Sequence, residues 1–131
     1  MDFTKMEKLC EHLEEFYPNL QCRAETIGDF KSIVVDFYPF GYLASVEMIC
    51  HGEECFIAGD IPVPRKDEEA KVNEAKQIIK DRRCFLEDDH IHATSIHIHP
   101  ICHAKKGNGK ILLDTIISEL ILKGKGEISK F

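Results

Sequence analysis

The chain has 131 residues, 44% hydrophobic and 31% charged, with a formal net charge of −6. That length predicts a single domain, residues 1–131, with a core of its own. The acidic balance makes nucleic-acid binding by the surface at large unlikely to be the function class, and no apolar run reaches the roughly 18 residues of a membrane span, so no membrane role is expected. The N-terminal stretch is charged throughout and does not read as a signal peptide, which leaves a cytoplasmic location as the expectation. Six cysteines without a CxxC pair are then expected as reduced thiols, most of them small buried hydrophobes.

A first helix is expected from residue 2 or 4 to 16. Thr4 and Glu7 match a capping box. Phe3, Met6, Leu9, Cys10, Leu13, Phe16 and Tyr17 recur at helical spacing as one apolar stripe, and Pro18 and Asn19 stop it. Strand-like segments follow at 21–27, 30–38, 43–50 and 55–61. The inward sets read Ile33, Val35 and Phe37, then Ala44, Val46 and Met48, then Cys55, Ile57 and Gly59. Short polar turns join these runs, which predicts an antiparallel meander, and Pro62 and Pro64 are expected to end it. A second helix is expected over 67–83, with Asp67 as N-cap and Glu68 and Glu69 in its first turn. Its stripe is thin: Ala70, Ala75, Ile78 and Ile79. Residues 86–90 read as an acidic loop.

A strand over 91–99 carries the histidines. Alternation puts Ile96 and Ile98 on the core side and His97 and His99 on the other, with Pro100 as the stop. A third helix, 109–123, is apolar around much of its girth, Gly124 fits a C-cap, and a last strand is expected over 127–131. The fold class is α+β (mixed α/β): an antiparallel meander sheet with three helices packed on it, in the order α-β-β-β-α-β-α-β.

Two constellations carry chemistry. His97 and His99, at i and i+2 on one strand face, can share an ion. Cys102 and His103 follow, His90 and His92 lie close in sequence, and Asp114 offers a carboxylate. Nitrogen, sulfur and oxygen donors of this kind suit zinc. The plain alternative is a solvated histidine face. The second constellation is Lys106, Gly107, Asn108, Gly109 and Lys110 at the start of the third helix, where backbone amides and the helix dipole suit an anion such as a pyrophosphate. The plain alternative there is a glycine-rich turn. Catalytic residues stay unknown. No nucleophile elbow such as GxSxG is present.

The His97-Ile98-His99-Pro100 segment, with the helix ending in Tyr17-Pro18-Asn19, resembles the JAMM/MPN metalloproteases. That resemblance implies a zinc hydrolase layout in which two His and an Asp bind the metal and an early Glu serves as base. His97 and His99 match. Gly107 and Lys110 stand where that family has Ser and Asp, leaving Asp114 as a substitute and Glu25 as the nearest early acid, so the implied protein is a degenerate member. The segment 96–129, with Ala104-Lys105-Lys106-Gly107-Asn108-Gly109 before Ile111-Leu112-Leu113, resembles the acetyl-CoA-binding motif of GNAT acetyltransferases and implies acetyl-CoA as cofactor. The front half, from Glu11 through Tyr17-Pro18 to Tyr38-Pro39-Phe40, resembles the UBC/RWD fold and implies a non-catalytic module with a protein partner. A zinc-type metal-binding domain is the leading expectation, and the other two are its alternatives.

Overall fold

A computed structural model describes residues 3–65, 68–105 and 107–128. The elements are α1 (Phe3–Phe16), β1 (Gln21–Ile27), β2 (Phe30–Phe37), β3 (Ala44–His51), β4 (Glu54–Pro64), α2 (Glu68–Lys80), β5 (Phe85–Ile91), β6 (Ser95–Ala104) and α3 (Gly109–Ile128). The six strands form one sheet in the order β1-β2-β3-β4-β6-β5, and every neighbouring pair is antiparallel. The expected α+β class, three helices and antiparallel meander are all present.

The meander follows from its turns. Gly28 and Gly52 sit at positive φ in the two tight connections, where the chain must bend in a way that glycine tolerates. Alternation then sorts the side chains. Ile33, Val35 and Phe37 on β2, Val46 and Met48 on β3, Ile57, Ile61 and Val63 on β4, and Ile96 and Ile98 on β6 are all buried. Their register partners lie on the same face, as in Ile33 with Met48, Met48 with Ile57, and Ile61 with Ile98. All three helices cover this face. Met6, Leu9 and Leu13 come from α1, Val72, Ala75, Ile78 and Ile79 from α2, and Leu113, Ile116, Ile117 and Leu120 from α3. Tyr17 and Ser118 hydrogen-bond through their hydroxyls at 2.8 Å, and Arg82 pairs with Glu119, so the ends of α1 and α2 are both tied to α3. Among the described residues, the other sheet face carries no helix.

Several boundaries differ from the expectation. Residues 86–90 belong to strand β5. Their acidic side chains are exposed because β5 is the sheet's edge, and an edge strand need not read as apolar. Pro62 lies within β4, which does end at Pro64, and Pro100 lies within β6. Pro100 cannot donate to a ladder, and the β4–β6 register is interrupted there, between the Ala58–Ile101 and Ile61–Ile98 pairs. Gly59 packs closely for another reason: a Cβ on it would lie 3.1 Å from the Ser45 carbonyl oxygen and 3.2 Å from Val46 Cγ2. Gly124 does not cap α3, which runs on through residues 127 and 128 where a strand was expected. A Cβ at Gly124 would collide with the Pro39 backbone, so this glycine serves close packing. Val72, absent from the expected α2 stripe, is buried, whereas Ala70 is exposed. The final residues of the expected last strand, 129–131, and the cap at Asp67 lie outside the described residues. The side chains of Thr4, Glu68 and Glu69 lie outside them as well.

The six cysteines form three disulfides, Cys10–Cys22, Cys50–Cys55 and Cys84–Cys102. This corrects the expectation of reduced thiols. The pairs are long-range or cross-strand partners whose proximity is set by the fold: Cys50 and Cys55 are direct register partners, and Cys10 joins α1 to β1.

Candidate functional site

Alternation leaves the helix-free face with its own set of side chains, and the register places them in rows. One row runs Glu25, Ser32, Ile49, Phe56 and His103 from β1 to β6. The next runs Arg23, Val34, Glu47, Ala58, Ile101 and Phe85. Large apolar groups in these rows are open to solvent: Phe56 is 53% exposed, Phe85 77% and Ile49 39%. Phe56 stacks flat on His103, with centroids 4.5 Å apart, and Phe30 lies against His51 at 5.2 Å. The rim is acidic. Glu25, Asp36, Glu47, Glu54, Asp60 and Glu87 fall on this face by register, and Arg23 is the one Lys or Arg of the strands on it. That arginine lies 3.5 Å from Asp36 and 3.9 Å from Glu25.

The same face holds His97 and His99, as alternation predicted, at the end away from Phe56. His97 Nδ1 donates to Asp60 Oδ1 at 2.7 Å; an ionised carboxylate only accepts, so the proton sits on the ring nitrogen. His99 Nδ1 lies 3.3 Å from the Gly59 carbonyl oxygen and 4.0 Å from Asp60 Oδ1. His90 stands across the ladder from His97. The His92 ring is centred 4.4 Å from that of His97 and 4.5 Å from that of His90.

The expected metal set does not assemble. Cys102 is bound to Cys84 and buried on the helix-covered face, so it offers no thiolate, and alternation turns it away from His97 and His99. Asp114 lies on α3 beside Lys8, His12 and Lys110, in the helix layer behind the sheet. His103 is on the correct face, but it is four residues along the strand from His99, stacked on Phe56 and 3.7 Å from Glu54. Glu25 sits on β1, at the opposite edge of the sheet from β5. Among the described residues, no three His, Cys, Asp or Glu side chains stand with their donors already gathered for a metal ion.

The anion loop is also engaged internally. The Gly107 amide donates to the Glu53 carbonyl at 3.1 Å, and the Asn108 amide to that of Lys105 at 3.2 Å. Gly109 seats the start of α3 on β4, where a Cβ would fall 2.8 Å from Cys55. Lys106 lies outside the described residues, and Lys110 faces the α1 side. These glycines have structural work that accounts for them without a ligand.

The exposed aromatic rows were not visible as a site in the sequence; His90 and His92 were noted as neighbours of His97 in sequence, but not that they gather on it without His99. Phe56 and Phe85 become neighbours of Ile49 and Ile101 only through the sheet order. His90 reaches His97 only through a bulge. Among the described residues, no helix is long and apolar enough to cross a membrane. No family model matches the chain, and neither a curated protein nor a solved structure matches it.

Proposed function

We propose that this domain is a protein-binding module that docks a cationic, amphipathic segment of a partner on the helix-free face of its sheet. The observation that carries the reading is the pairing of exposed Phe56, Ile49 and Phe85 with the carboxylates that share their sheet face by register. Contiguous exposed apolar surface with a polar rim marks interaction sites. Aromatic anchors supply most of the binding energy in such patches, and single-sign charge at the rim selects the partner and speeds encounter. This is the interaction-module alternative of the sequence, placed on different residues. The zinc hydrolase layout is not adopted because its ligand set is divided between the two faces of the sheet. The acetyl-CoA reading is not adopted because the amides it needs at Gly107 and Asn108 are already hydrogen-bonded. Three disulfides favour an oxidising setting over the cytoplasm expected from the charged N-terminus.

The test is selection from a random peptide library on the purified, disulfide-intact chain. Enrichment of Lys- or Arg-rich sequences with alternating or helically spaced apolar residues is expected, and Phe56→Asp should abolish it. Enrichment without that charge bias, or enrichment that survives both Phe56→Asp and Phe85→Asp, would sink the reading.

A further inference from the structure

We propose that His90, His92 and His97 form a binding site for a divalent first-row transition ion of the zinc type, with Asp60 orienting His97. The site shares Asp60 with the acidic set of the docking face but none of its apolar anchors Phe56, Ile49 and Phe85, so the Phe56 and Phe85 variants that test docking do not touch it.

The three rings lie side by side, although their donor atoms are not placed to hold an ion as they stand. Their centroids are 4.4 Å apart for His92 and His97, 4.5 Å for His90 and His92, and 6.3 Å for His90 and His97. Imidazole nitrogens bind zinc at about 2.0–2.1 Å, so rings around one tetrahedral ion have centroids about 5 Å apart. The observed separations bracket that value.

His97 is prepared as a ligand. Its Nδ1 proton is held by the Asp60 carboxylate, which leaves the Nε2 lone pair free to bind. A carboxylate behind a metal-binding histidine fixes its tautomer and raises its basicity. The backbone under His92 is also fixed. The His92 amide donates to the Ser95 carbonyl at 2.8 Å, closing the β5–β6 turn. The carbonyl of His92 accepts from Arg65 and that of Thr94 from Tyr42.

What the present arrangement lacks is convergence of the nitrogens, since the rings are tilted at 41° to 54° to one another. His90 and His92 are exposed, and exposed side chains change rotamer in picoseconds to nanoseconds. Binding an ion therefore requires the rings to rotate until their nitrogens converge. Three imidazoles leave a fourth position open to water or to a donor from a partner, and imidazole ligands suit zinc, copper, nickel and iron.

The test is titration of the metal-stripped, disulfide-intact chain with Co²⁺, followed by its visible d–d band, with Zn²⁺ as competitor. One ion per chain is expected. His90→Ala and His92→Ala should each weaken binding by about tenfold or more, and Asp60→Asn by about 10- to 100-fold, as for other carboxylates behind metal-binding histidines. His12→Ala, on α1, should titrate as the parent chain. Because His90 and His92 are exposed, their variants keep the fold by circular dichroism and decide the matter even if His97→Ala does not fold. Absence of saturable Co²⁺ binding, or binding unchanged in the His90→Ala/His92→Ala double variant, overturns the proposal.

Discussion

His90 stands directly opposite His97 because β5 carries one extra residue between Glu87 and His90. Glu87 pairs with His99, so a regular ladder would bring Asp89 opposite His97. The bulge instead sends Asp89 to Lys76 on α2, at 2.6 Å, and turns His90 onto the helix-free face. Bulges commonly re-aim a side chain in this way.

That register yields a paired prediction. Deleting Asp88 alone makes the ladder regular while keeping His90 opposite His97, so Co²⁺ binding should persist. Deleting both Asp88 and Asp89 moves His90 one position along, and with a side-chain period of two it then points to the helix side. Co²⁺ binding should be lost in the double deletion. Titration of both chains checks this, and equal behaviour of the two would contradict the register argument.

The cross-links should hold a measurable share of stability. Cys84–Cys102 closes a loop of 18 residues and Cys50–Cys55 one of five. Chain-entropy arguments give about 3 kcal/mol for the first and about 2 kcal/mol for the second. Urea unfolding of the Cys84→Ala/Cys102→Ala and Cys50→Ala/Cys55→Ala chains should rank them in that order. Native-state thiol labelling should find no reactive thiol, and six reactive thiols would refute the cross-linking.

Gly124→Ala should destabilise sharply. A methyl group there runs into the Pro39 backbone, which cannot move aside as a flexible side-chain tip can. Overpacking of this kind costs about 1–3 kcal/mol or more. Had the glycine been a helix cap at positive φ, open space would surround it, as it does Gly28. Thermal melts of Gly124→Ala and Gly28→Ala separate the two cases: the first should fall further.

The two faces of β6 should respond differently to truncation. Ile98 is fully buried, and Ile98→Ala should cost about 2–5 kcal/mol. His99→Ala, its neighbour on the other face, should change stability by only about 0.5 kcal/mol. Comparable losses at both positions would mean that the face assignment is wrong.

The alternating runs of β2, β3 and β4 were legible because half-buried strands carry a period of two, and the α1 stripe was legible for the equivalent helical reason. The split of Ile96 and Ile98 from His97 and His99 came from the same rule. Strand β5 was not legible, because an edge strand with acidic, exposed side chains has the composition of a loop. Pro100 misled because a proline is tolerated inside a strand where the ladder is interrupted, and that interruption belongs to the β4–β6 pairing and not to the local sequence. The histidine cluster needed two facts that local pattern does not contain: that β5 and β6 pair, and that the pairing slips by one residue. Cysteine pairing failed for a different reason. The partner of each thiol is set by tertiary contacts, which neither cysteine spacing nor a charged N-terminus contains.

The position of α3 also bears on how the chain reaches this state. Its buried residues fill the centre of the helix layer, between α1 and α2, and Tyr17 meets Ser118 across a separation of 101 residues. Until residues 109–128 emerge from the ribosome, Val46, Met48, Ile57 and Ile98 have no roof. A nascent chain therefore carries an uncovered apolar sheet face until α3 has been made. Holdase chaperones and early oxidation at the Cys50–Cys55 hairpin are the points at which its yield should be most sensitive.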